Sequence, residues 1–127
     1  LKILLIFSCA AMIISFCLLP GSLRAGEADV LDVTVQKRDD GSYSFSVAVR
    51  HADEGWDHYA DRWDVVAPDG EVLGTRVLLH PHVGEQPFTR SLTGVKIPEG
   101  TGKVVVRAHD KVHGYGGAEV EVELPEE

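Results

Sequence analysis

After residue 25 the chain contains no cysteine and no methionine; Cys9, Cys17 and the single Met12 all fall in the opening stretch. The remainder therefore forms no disulfide, and it lacks the soft sulfur donors that a Cu⁺ carrier needs. Also absent are a G-x-S-x-G elbow, a catalytic cysteine and a glycine-rich phosphate loop running into a helix, so a non-enzymatic role is expected. Basic residues are scarce, with 12 Lys and Arg against 20 Asp and Glu and a net charge of −8. Such a surface repels phosphate backbones and anionic lipid, which argues against nucleic acid or a membrane surface as partner. No segment beyond residue 25 shows an apolar period of 3.6, so helix is expected at most as one turn within residues 53–62.

What is present begins with an apolar run over residues 3–19 behind Lys2, closed by Pro20-Gly21 and followed by Ser22-Leu23-Arg24-Ala25. The run is short for a membrane span and reads as a secretory signal over residues 1–25, cleaved after Ala25. An uncleaved N-terminal anchor is the second reading, and a lipoprotein is not expected, since Phe16 before Cys17 and Phe7-Ser8 before Cys9 fit a lipidation box poorly. Cleavage would remove Lys2 and Arg24 but no acid, moving the net charge from −8 to about −10. Residues 26–127 then form one exported domain, periplasmic or secreted and free of the membrane.

Its pattern is that of strands. Leu31, Val33 and Val35 alternate with polar residues, and after Asp39-Asp40-Gly41 the alternation resumes at Tyr43, Phe45, Val47 and Val49. A second pair over residues 63–67 and 71–80 is joined by Pro68-Asp69-Gly70, with Thr75, Val77 and Leu79 as its expected inner face. Residues 88–97 make a fifth, less regular strand, closed by Pro98-Glu99-Gly100. Val104, Val106 and Ala108 mark a sixth, and Val120, Val122 and Leu124 a seventh whose other face is glutamate. Seven strands at this turn spacing predict an all-β fold, a single antiparallel β-sandwich. Strand count and a tryptophan, Trp63, at the start of the third strand resemble immunoglobulin-like and fibronectin type III-like sandwiches over residues 28–125. The paired cysteines of true immunoglobulin domains are missing, and Val47 and Val106 are expected in their place. The phrase from His109 through Gly117 is similar to small exported bacterial proteins of unassigned role.

Successive connections between antiparallel strands fall at alternate ends of a sandwich. The three short acidic turns share one end, and residues 51–62, 80–87 and 109–117 share the other. All six histidines, His51, His58, His80, His82, His109 and His113, lie in these longer segments, with Trp56, Tyr59, Tyr115, Asp110 and Glu85. Function is expected at that end. Imidazole and carboxylate suit Zn²⁺ and Cu²⁺, and the expected metal ligands are His80 and His82, two apart in extended chain, with His109 and His113 from the neighbouring loop. His51 and His58 are weaker metal candidates. Trp56, His58, Tyr59, Tyr115, Asp110 and Glu85 are expected to contact a ligand or partner.

Three functions compete at this stage. One is an exported binding module for a protein partner or small ligand, without metal. Another adds Cu²⁺ or Zn²⁺ at the histidine end. The third is a cupin-like metal-dependent enzyme, because Gly74, five residues and His80-Pro81-His82 resemble the first half of the cupin metal motif. That match stops at Glu85, which follows one residue too early, and no second motif aligns. Histidines beside an acidic surface also admit pH-dependent binding.

Overall fold

The computed structural model describes residues 26–126, and the expected signal segment lies outside them. Seven strands follow in order: β1 (Asp29–Lys37), β2 (Tyr43–Arg50), β3 (Ala60–Val66), β4 (Val72–Val77), β5 (Phe88–Val95), β6 (Lys103–Asp110) and β7 (Val120–Glu123). All pairings are antiparallel, and two sheets result, ordered β1-β2-β5 and β4-β3-β6-β7. Among the described residues there is no helix; the expected turn within residues 53–62 is a non-helical bend leading into β3.

The core lies between the sheets and is built by period-two alternation. Tyr43, Phe45, Val47 and Val49 of β2 face Trp63, Val65, Val104, Val106 and Ala108 of β3 and β6 in one apolar cluster. Val47 and Val106 are both fully buried. Burying each such aliphatic or aromatic side chain stabilises the domain by about 1.5–3 kcal/mol, so the core needs no covalent staple.

The inner face of β4 departs from the expected one. Leu78 enters the core, whereas Val77 and Leu79 are exposed and the Thr75 hydroxyl donates to Asp64 on the outer face. A β-bulge causes the change. Val65 pairs with Gly74 but Val66 with Val72, so Leu73 is the extra residue and the alternation shifts by one beyond it. Gly74 then turns inward, where a Cβ would press on Leu92 and Val95 of the opposite sheet.

Candidate functional site

The inward faces of β2 and β6 run past the end of the apolar core. Counting by twos from Tyr43 leads through Val49 to His51, and from Val104 through Ala108 to Asp110. Both side chains are fully buried at the end of the sandwich that carries the long loops. A period that places valine in the core thus delivers an imidazole and a carboxylate to the same interior layer.

Asp53 fixes His51. Its Oδ1 accepts from His51 Nδ1 at 2.5 Å and from the Ala60 backbone N–H at 3.1 Å, and its Oδ2 accepts from the His82 N–H at 2.6 Å. The His51 N–H donates to Gln86, whose amide donates in turn to the His82 carbonyl. The other ring nitrogen of His51, Nε2, faces the interior. There it meets the Gly26 carbonyl oxygen at 2.8 Å and Asp110 Oδ2 at 3.9 Å.

His58 comes from the bend before β3 and approaches the same point, its Nε2 3.2 Å from the Gly26 oxygen and 3.4 Å from Asp110 Oδ1. Asp110 Oδ1 also accepts from the backbone N–H groups of Val112 and His113. Asp110 Oδ2 is buried and has no hydrogen-bond partner among the described residues. Burial works against ionisation of Asp110, but the two N–H donors, the His113 ring and nearby His51 outweigh it and hold the carboxyl below its usual value. Ligand atoms of His51, His58 and Asp110 all lie within 4.8 Å of one another. Ring nitrogens and oxygens converge here, an arrangement held together either by protons on the imidazole nitrogens or by a cation between the groups.

The structure does not gather His80, His82, His109 and His113 around one point. His109 follows an inward alanine on β6 and therefore points outward, where Nδ1 meets Asp61 at 2.6 Å and the ring packs edge-on against Tyr115. His82 is buried and stacked on Phe88, with its ring 4.6 Å from that of exposed His80. Burial first, then Arg90 and His80, lower its pKa from 6.5, and neither ring nitrogen has a hydrogen-bond partner among the described residues. His113 stands at the edge of the centre, 5.0 Å from the His58 ring and 3.2 Å from Asp110 Oδ1. Among the described residues, the group able to hold a metal is instead His51, His58 and Asp110.

The expected contact residues divide. His58 and Asp110 belong to the centre. Tyr59 is buried beside it, and Trp56 packs edge-on against Tyr59 while remaining 64% exposed. Tyr115 lies away on the outer sheet face, donating to Asp64 at 2.5 Å beneath the Arg107 guanidinium. Glu85 is exposed and paired with Arg90, which lowers its pKa through hydrogen bonding and charge. Strand parity could have identified His51 and Asp110 from sequence; Gly26, which contributes only backbone, left no such signal.

No protein-family model matches the chain. It is 53% identical over 91 residues to a protein of Halomicrobium mukohataei named "Putative lipoprotein", a match covering 72% of this chain. The match spans 44% of that protein, less than half its length. A solved structure of a hypothetical protein from Pyrococcus horikoshii aligns with a TM-score of 0.49 and 17% identity, over 84% of this chain and 99% of the other.

Proposed function

We propose that this chain is an exported, envelope-associated binding module that holds one divalent transition-metal ion, Zn²⁺ or Cu²⁺, through His51, His58 and Asp110. The observation that carries this reading is Asp110 Oδ2, a fully buried carboxylate oxygen without a hydrogen-bond partner, facing the Nε2 of a histidine whose other nitrogen is held by Asp53. A carboxylate behind a ligating histidine is the usual outer support of such sites, fixing both tautomer and ring direction. Two imidazoles and a carboxylate suit Zn²⁺ and Cu²⁺. Export is supported by the name of the Halomicrobium mukohataei relative. The strand order, with β4 beside β3 in the larger sheet, supports an immunoglobulin-like sandwich of the fibronectin type III kind. Among the described residues no helix is long and apolar enough to cross a membrane.

The role is binding rather than turnover. Glu85, the third ligand of a cupin-like site, is engaged by Arg90 instead. A protein partner without metal is a second reading, favoured by exposed Trp56, Leu79, Val83 and Val112, which crown the same three loops.

The test is a melting curve of metal-stripped protein with and without Zn²⁺ or Cu²⁺, read with elemental analysis. At 100 times Kd a ligand adds about 2.7 kcal/mol, which for a domain of this size raises Tm by roughly 10–20 °C. His58→Ala should abolish most of the rise and His109→Ala should keep it. No rise and no bound metal would remove the metal reading and leave the partner-binding one.

A further inference from the structure

We infer that the main-chain carbonyl of Gly26 is the fourth donor of this centre, so that a bound ion pins the segment entering β1 onto the β2–β3 and β6–β7 loops. The inference rests on the metal reading above and extends it from side chains to backbone.

Donor atoms about 2.0–2.2 Å from one common ion stand roughly 2.9–3.5 Å apart when they are adjacent in its coordination shell. The Gly26 oxygen is 2.8 Å from His51 Nε2 and 3.2 Å from His58 Nε2, hydrogen bonds in which a bound ion would replace the ring proton, and His58 Nε2 is 3.4 Å from Asp110 Oδ1. Three of the separations around the ring of donors are therefore close to those of a coordination shell. Asp110 completes the ring through both its oxygens, Oδ1 on the His58 side and, 3.9 Å from His51 Nε2, Oδ2, which has no hydrogen-bond partner among the described residues and needs only a sub-ångström movement.

The carbonyl is also held where it is. Gly26 is buried at a φ of +122°, and a Cβ there would overlap the His113 ring, so glycine alone lets the chain approach so closely. Downstream, the Val30 N–H donates to the Ala118 carbonyl and the Ala118 N–H donates to Asp29, fastening the segment to the β6–β7 loop. Gly117 packs so closely on the Ala28 carbonyl that no side chain fits between them. Two imidazole nitrogens, a carboxylate and an amide oxygen form an N₂O₂ set without sulfur, which suits Zn²⁺ and tetragonal Cu²⁺ and disfavours Cu⁺. Metal occupancy and the attachment of the lead segment then become one equilibrium, because ligand binding to the closed state suppresses opening.

The experiment is amide hydrogen exchange of the full chain with and without excess Zn²⁺, read over residues 26–30, together with the carbonyl ¹³C resonance of Gly26 in protein labelled with 1-¹³C-glycine. With Zn²⁺ at 100 times Kd, exchange in this segment should slow by more than about tenfold, and the Gly26 carbonyl should shift on addition of one equivalent. One equivalent bound with exchange unchanged or faster and the carbonyl unmoved would overturn the Gly26 assignment while leaving the three side-chain ligands standing. No Zn²⁺ bound at all would overturn both readings.

Discussion

Replacing Asp53 by asparagine tests whether this carboxylate joins the loops into one unit. Its side chain is wholly buried, and its two oxygens receive His51 Nδ1, the Ala60 N–H and the His82 N–H, drawn from three parts of the chain. Asparagine keeps one acceptor oxygen, which can still serve His51 and Ala60. Its amide group then faces the His82 N–H, donor against donor. A buried N–H left without an acceptor costs about 1–3 kcal/mol, and the charge assistance to the other two bonds is lost as well. An overall loss near 2 kcal/mol lowers Tm by roughly 8–16 °C for a domain of this size. Alanine would strand all three donors at about 3–9 kcal/mol, a large part of the 5–15 kcal/mol typical of a whole domain, so asparagine is the informative variant. The assay is urea and thermal unfolding of metal-free protein at neutral pH, followed by Zn²⁺ titration. Zn²⁺ affinity should fall about 10–100-fold, because a neutral amide oxygen replaces the carboxylate that raises the basicity of the His51 ring. A Tm within about 2 °C of the parent and an unchanged Zn²⁺ affinity would refute the reasoning.

Other consequences follow from the same contacts. His82 has its pKa lowered from 6.5 by burial first and by Arg90 and His80 next, so on acidification the unfolded chain takes up the proton before the folded one. Stability should therefore decline as pH falls through 6.5 and level off only below the folded value, and His82→Phe should flatten that decline in urea midpoints measured from pH 7 to 5. Equal slopes for parent and variant would contradict it. Tyr115→Phe removes the hydroxyl that donates to Asp64 and should cost about 1.5 kcal/mol of stability with no change in Zn²⁺ affinity, since Tyr115 lies outside the centre. Gly117→Ala forces a Cβ onto the Ala28 carbonyl and should destabilise the domain by about 1–3 kcal/mol, with faster amide exchange in residues 26–30 as the specific sign.

Strands and turns were legible because alternation and the D-G and P-D-G signals act locally. All seven strands formed, and the alternate-end rule separated the acidic turns from the histidine loops. The face of β4 was not legible, since the bulge at Leu73 is imposed by pairing with β3 and both phases of β4 contain aliphatic residues. The i, i+2 spacing of His80 and His82 is the more conspicuous metal signal in the sequence, yet His82 is stacked on Phe88, and among the described residues no third ligand is gathered with the pair. Parity carried more information than density. The alternation that buries Val49 and Ala108 also buries His51 and Asp110, and it turns His109 outward. His58 lies in an aperiodic bend and Gly26 acts through its backbone, so their places depend on tertiary closure alone.

The most direct measurement is a crystal structure of the protein with one equivalent of Zn²⁺, its anomalous difference density collected at the zinc edge. The expected result is a single strong peak about 2.0–2.2 Å from His51 Nε2, His58 Nε2 and an Asp110 oxygen. A peak at His80 and His82, or no peak at full Zn²⁺ saturation, would contradict the assignment of the centre.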